Sequence, residues 1–214
     1  MKNRNLAIRI FELLFGVFLV ATGVAFSIHG NLGTAPVTSL PYTLSCVFGM
    51  TNGRWTIFIH LTFIILQILL LRKDFKIYNL LQLPLAIFFG SFIDIMNKAL
   101  NVLVCETYFQ QWVLCGIGII LVGIGVAFEV EADILVLAVE AFAKAVSVKT
   151  GKKFGDMKML TDCGIVAVAV IIGLVGKGQI FGVREGTVVA AILVGQIAKL
   201  VKAQFFNRIS AKKS

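Results

Sequence analysis

A chain of 214 residues with 58% hydrophobic and only 14% charged side chains cannot clothe itself in water, since soluble domains carry about 25% charged residues. Its net charge of +9 does not point to nucleic acid. The excess sits beside apolar stretches, at Lys2, Arg4 and Arg9, at Lys149, Lys152, Lys153 and Lys158, and at Lys199, Lys202, Arg208, Lys212 and Lys213, as the positive-inside bias produces. With no aromatic-interleaved basic groove, composition excludes a soluble domain and a nucleic-acid binder, and leaves an integral protein of the lipid bilayer.

The apolar segments follow in order. Residues 7–28 resemble a signal peptide only superficially: the stretch is too long and lacks an A-x-A site, so it reads as a retained first span. Residues 34–48 are short and carry Pro36 and Pro41 among Thr34, Thr38, Ser39, Thr43 and Ser45. An interior proline costs a helix roughly 3 kcal/mol, so this segment reads either as a broken, re-entrant element or as a kinked, tilted span. Such freed backbone is tolerated at membrane depth where it is buried in protein or lines a cavity. Segments 55–71 and 78–97 complete the first half. In the second half, 110–128, 157–175 and 186–203 are long, whereas 132–148 is short and bears Glu140 and Lys144. Cys46, Cys105, Cys115 and Cys163 are scattered without metal-ligand spacing and read as small hydrophobes.

The chain overlies itself. With a shift of 102, "GVFLVATGVAF" (16–26) falls on "GIILVGIGVAF" (118–128), and the register gives 11 identities over the 38 positions from Gly16 to Gly53, four of them glycine pairs. With a few extra residues, "QLPLAIFFGSFID" (82–94) then overlies "TVVAAILVGQIAK" (187–199). These matches predict an all-α, polytopic transmembrane bundle of two related four-segment halves, 1–104 and 105–214, forming one membrane domain. Internal repeats of this kind recur in secondary transporters. Two topologies fit. If the short segments cross, there are eight spans and both halves share one orientation; if they re-enter, there are six spans and the halves are inverted. Lys and Arg counts do not separate the two, and both place the termini in the cytoplasm.

Ionisable and polar side chains inside spans tend to mark function. Glu140 and Lys144 share a helical face and can neutralise each other, beside a substrate path or at the interface. His60 and Asp162 occupy equivalent positions under the shift, with Gln67 seven residues after His60 on the same face. In a two-fold bundle they approach a common cavity, or else snorkel to the headgroups. Asp94 meets Lys199 in the repeat register, as function or as interfacial anchors. "GVREGT" (182–187) sets Arg184, Glu185 and Thr187 at a helix start, where free N–H groups favour an anion although Glu185 opposes it. Thr34, Pro36, Thr38 and Ser39 offer a comparable polar site in the first broken element. Glu129, Glu131 and Asp133 form either a cation-attracting mouth or a solvated turn. No nucleophile–histidine–acid set, phosphate loop, metal cluster or cofactor motif is present, so no enzyme is expected.

"GNLGTAPVTSLPYTLS", the "GMTNG" turn, Gln67, "FFGSFID", "GKKFGDMKMLTD" and "FGVREGTVVAAILVGQIAK" together resemble the bacterial YczE/YyaS membrane-protein family, which is similar to the YitT-type proteins. The resemblance spans nearly the whole chain. It implies a multi-pass protein of the bacterial inner membrane and supplies no activity. The second half departs from the pattern: "EVEADILVL" stands where a glycine–proline turn is common, which questions the symmetry of the second broken element. The expected function is a small secondary transporter or channel-like permease for a small polar or charged solute, its site between the repeats. The alternative is an accessory or regulatory membrane protein acting through a partner, a second copy or anionic lipid, using "GVREGT", Lys152, Lys153 and the tail 204–214.

Overall fold

The computed structural model describes residues 5–103 and 105–206. Lys2, Arg4, Arg208, Lys212, Lys213 and the tail beyond 206 lie outside them. Among the described residues the chain is helical throughout. It comprises α1 (Leu6–Gly30), α2 (Pro36–Phe48), α3 (Asn52–Leu71), α4 (Gln82–Leu100), α5 (Tyr108–Ala132), α6 (Ala138–Thr150), α7 (Phe154–Lys177) and α8 (Glu185–Val201), with short 3₁₀ turns at Arg72–Asp74 and Ile77–Leu81. Local chemistry sets these boundaries. Thr107 and Gln110 form a reciprocal capping box at the start of α5, and Pro36 opens α2 at its first helical position, where its missing N–H costs nothing. Gly49 (φ 78°) and Gly151 (φ 69°) end α2 and α6 in the left-handed region that glycine enters without a Cβ penalty.

Six stretches are long and apolar enough to cross a bilayer: Leu6–Gly30, Asn52–Asp74, Ile77–Leu100, Tyr108–Ala132, Phe154–Lys177 and Glu185–Gln204. At 13 residues each, α2 and α6 reach about 20 Å, short of the roughly 30 Å of hydrocarbon. The departure at "EVEADILVL" keeps the local path at two positions and loses it at Gly33 (φ 97°), whose counterpart Leu135 is outside the positive-φ region. Asp133 (φ 45°) takes the left-handed conformation of Asn31 (φ 51°). Leu137 (φ −58°, ψ 151°) starts α6 as Ala35 (φ −56°, ψ 150°) starts α2.

The bundle is built on α1 and α5. A Cβ on Gly16 would stand 2.7 Å from the Gly125 carbonyl, one on Gly23 2.6 Å from the Gly118 carbonyl, and one on Gly30 3.0 Å from the Cys115 nitrogen. Small residues allow this close approach, as membrane helix contacts favour. Residue numbers fall along α5 as they rise along α1, so the two helices are antiparallel. As the fourth crossing of six, α5 must run that way; eight full spans would have made the pair parallel. Helix α4 packs along α1 and α8 along α5, while α2 lies on α7 and α3, and α6 lies on α3 and α7. Leu13, Val17, Val24, Leu85, Phe89 and Ile93 fill the core around α1. Leu40 and Leu44 of α2 join Val139, Ile165 and Ala169 in a second cluster.

Each end of the bundle is tied differently. At one end Arg9 Nε donates to the Ala132 carbonyl at 2.8 Å, Lys202 pairs with Glu131 at 3.6 Å, and the Tyr78 hydroxyl donates to the Ile134 carbonyl at 3.1 Å. At the other, Arg184 Nη1 donates to the Asn31 carbonyl at 2.8 Å, and the Gly186 N–H donates to the Leu32 carbonyl at 2.8 Å. These are the Arg9 end and the Arg184 end below.

Candidate functional site

At the Arg184 end the residues expected to hold an anion hold one another. The Thr34 N–H and hydroxyl both donate to the Gly182 carbonyl, at 2.9 and 3.4 Å. The Thr38 and Ser39 hydroxyls donate to the carbonyls of Ala35 and Pro36, at 3.0 and 2.7 Å. Thr187 Oγ1 accepts from the Arg184 N–H at 3.3 Å and donates to the Gly182 carbonyl at 3.2 Å. The Arg184 guanidinium, shared between Asn31 and Glu185 Oε1 (3.1 Å), is spent on closing the chain. What remains is a hollow of about 50 Å³ reached by Ser27, Asn31, Thr34, Tyr42 and Arg184. The site predicted at Thr34, Pro36, Thr38, Ser39, Arg184, Glu185 and Thr187 is therefore a clamp between the loop after α1 and the start of α8, not an open anion cradle.

The Arg9 end carries a cleft of about 570 Å³ between α3, α5, α6 and the α3–α4 connection. Its inner wall holds Gln67, Gln82 and Glu129, all buried. Gln67 Nε2 donates to Gln82 Oε1 at 3.1 Å and to the Ala138 carbonyl at 3.0 Å, tying α3 and α4 to the first residue of α6. Glu129 is 7% exposed, and its Oε1 has no hydrogen-bond partner. A buried polar atom left unpaired costs free energy and calls for an explanation. Asp74, Lys76, Asp133 and Lys144 stand around the opening.

In the 102-residue register, six residues of the small hollow, Ser27, Ile28, Asn31, Gly33, Thr34 and Tyr42, fall on Glu129, Val130, Asp133, Leu135, Val136 and Lys144 of the cleft. In the 105-residue register that lays 82–94 on 187–199, Phe181 and Arg184 fall on Lys76 and Asn79 of the cleft, while Ile180 and Gly182 fall on Phe75 and Ile77, which do not line it.

Other predicted partners are separated. Glu140 turns to Lys158 of α7 at 3.6 Å, because α6 presents it to that helix, while Lys144 is exposed at the cleft. Lys158 also donates to both Asp162 oxygens at 3.1 Å, one turn along α7. The His60 ring is buried edge-on against Phe89, their centroids 5.8 Å apart, on the α4 side of α3. His60 and Asp162 thus serve different contacts rather than one cavity. Asp94 accepts from the Thr51 hydroxyl at 2.6 Å and the Gly53 N–H at 2.7 Å, capping α3 from outside. Sequence reading found Gln67 but missed Gln82, which gave no signal of its own. It left Glu129 among loop acids although the residue directly follows the repeated GVAF.

The chain is 30% identical over 185 residues to "Uncharacterized membrane protein YczE" of Bacillus subtilis (strain 168), covering 86% of this chain and 80% of the relative. It is 29% identical over 117 residues to "Uncharacterized protein YyaS" of the same organism, covering 54% of this chain and 57% of that one. No solved structure matches. The match to "Family of unknown function (DUF6198)" runs from residue 7 to 203, nearly end to end through both hollows, and the chain belongs to that family, as a membrane protein of the YczE/YyaS kind.

Proposed function

We propose that the protein is a small secondary transporter built from two inverted repeats, 1–104 and 105–214, with its solute path beside the α1–α5 crossing. The observation that carries this reading is the correspondence of the two hollows. They lie at opposite ends of an antiparallel helix pair, share six lining positions 102 apart, and differ about tenfold in volume. Inverted repeats that exchange conformations open one end while closing the other, which is alternating access. The helix contacts support it. Exchanging the first four helices for the last four turns α1–α4 packing into α5–α8, α2–α7 into α6–α3, and α2–α3 into α6–α7, all of which are present.

Orientation follows from charge. Arg9, Arg72, Lys73, Lys76, Lys149, Lys152, Lys153, Lys199 and Lys202 fall at the Arg9 end, against Arg54, Lys98, Lys177 and Arg184 at the other. The positive-inside bias then sets the Arg9 end, both termini and the open cleft toward the cytoplasm. The rival accessory role loses one of its surfaces, because Arg184 is engaged within the chain.

The test is counterflow of small polar and charged solutes in proteoliposomes. Saturable exchange that Gln82→Leu or Lys144→Glu alters is the expected result. Tight vesicles without exchange across a broad panel would sink the proposal.

A further inference from the structure

The cleft has one side chain whose chemistry is unfinished. Glu129 lies on its inner wall with Oε1 unpartnered and 7% of the residue exposed. Its counterpart Ser27 is complete, its hydroxyl donating to the Gly23 carbonyl at 3.0 Å. The fold at this position is therefore satisfied by a small hydroxyl, and packing does not call for an acid. Glu140 of α6 too has a buried oxygen, Oε2, without a hydrogen bond. Lys158 reaches Glu140 Oε1 but is shared with Asp162. Among the described residues no Lys or Arg comes within ion-pair distance of Glu129, although Lys144 and Lys76 stand around the same cleft. The rim charges offset: Asp74 and Asp133 against Lys76 and Lys144, with Asp133 also 3.8 Å from Arg9. The deep wall thus holds an acid with no counter-charge beside it.

We propose that this cleft takes a small organic monocation bearing N–H donors, a protonated primary amine, seated with its ammonium on Glu129 and its body along Ile134, Leu135 and Ala141. A turn of the Glu129 carboxyl brings Oε1, buried in the wall of the cleft, onto an N–H donor, and the positive charge balances an acid that has no counter-charge. The apolar lining suits an alkyl chain, and the volume falls in the range of small-molecule sites. A bare metal ion fits less well: among the described residues no three His, Cys, Asp or Glu side chains converge as ligands would. As a statement about the transported solute this rests on the transporter reading; as a statement about binding it does not.

The test is calorimetric titration of the full chain in lipid nanodiscs with propylammonium, using tetramethylammonium and propionate as comparators. Propylammonium binds, tetramethylammonium, which lacks N–H donors, binds at least about tenfold more weakly, and propionate does not bind. Glu129→Gln loses about tenfold or more in affinity, and Glu129→Asp recovers part of it. Retained melting temperature in Glu129→Gln separates lost binding from lost folding. No propylammonium binding by the wild-type chain, equal binding of tetramethylammonium, or full binding by a folded Glu129→Gln overturns the proposal. Amine binding without exchange in vesicles leaves this inference standing and removes the transporter reading. Exchange of another solute without amine binding does the reverse.

Discussion

The α3–α4 contact and the α7–α8 gap occupy matching places in the chain and are packed in opposite ways. Gly53 of α3 is pressed against the backbone of Gly90 of α4 and the Asp94 carboxylate; a Cβ there would collide with both groups. The matching glycines, Gly155 of α7 and Gly195 of α8, face open space within 4 Å, and α7 and α8 make no comparable contact. Because α3 leads into the Arg9-end connection and α7 into the Arg184-end one, the tight pair lies toward the closed end and the loose pair toward the open one. Small residues let membrane helices come together, but they do not hold them together. The same glycine pair is compatible with either arrangement, and something else decides which half is shut.

Substituting the glycines breaks the comparison most severely. Gly53→Val forces a side chain into the Gly90 carbonyl and should cost about 3 kcal/mol or more, the upper range for overpacking. Gly155→Val points into empty space and should stay within about 0.5 kcal/mol. Melting in detergent measures both, and equal losses would mean that the gap is not a feature of the folded protein. Flux sharpens the contrast. If the two halves exchange packing during transport, Gly155→Val folds normally yet stops exchange, because it fills the place where α7 and α8 must meet.

Asp94 is the next lever. Its two oxygens accept from the Gly53 N–H and the Thr51 hydroxyl at the start of α3, where free N–H groups and the helix dipole favour an anion. The residue at that place in α8 is Lys199, which has no acceptor to offer the free N–H groups of a helix start. Asp94→Ala should cost about 2 kcal/mol, within the range for hydrogen bonds to a charged group, whereas Lys199→Ala should cost less than about 0.5 kcal/mol. Comparable losses, read by the same melting assay, would show that the carboxylate is not what holds α3 on α4. In the transport reading, the missing acid at Lys199 is why the second half rests open.

Much of this was legible in the chain itself. Hydrophobic runs placed seven of the eight helices to within about four residues, whereas the run read as 132–148 begins on the last residue of α5 and α6 starts only at Ala138. What stayed hidden depends on orientation. Glu140 and Lys144 are neighbours by helical spacing, but the side of α6 that carries Glu140 meets α7, and Lys158 offers a nearer ammonium. His60 and Asp162 correspond in register, yet α3 turns His60 onto Phe89 of α4 while Asp162 stays on its own helix with Lys158. The hydroxyls of Thr38 and Ser39 looked like ligands for a solute; at the start of a helix they instead turn back to nearby carbonyls, a local bond that competes with any outside partner. Glu129 was passed over because an acid beside Glu131 and Asp133 reads as loop, whereas α5 continues to Ala132 and buries it.

The smallest energetic change gives the most specific reading of the two ends. Arg184 ties the α1–α2 loop to the start of α8 through the Asn31 carbonyl and Glu185, with its side chain 41% exposed. Such partly solvated bonds contribute about 1 kcal/mol or less, so Arg184→Ala should barely move the melting temperature. Access should change instead. In a cysteine-free background, Thr34→Cys reports on the closed hollow and its counterpart Val136→Cys on the open cleft. A water-soluble maleimide should label position 136 much faster than 34 in the parent. Adding Arg184→Ala should speed labelling at 34 several-fold and leave 136 unchanged or slower, since a bundle that trades one opening for the other cannot gain at both. Rates that rise together would mean that Arg184 merely stiffens a loop. Rates that are equal in the parent would mean that the two hollows do not differ in the membrane as they do in volume.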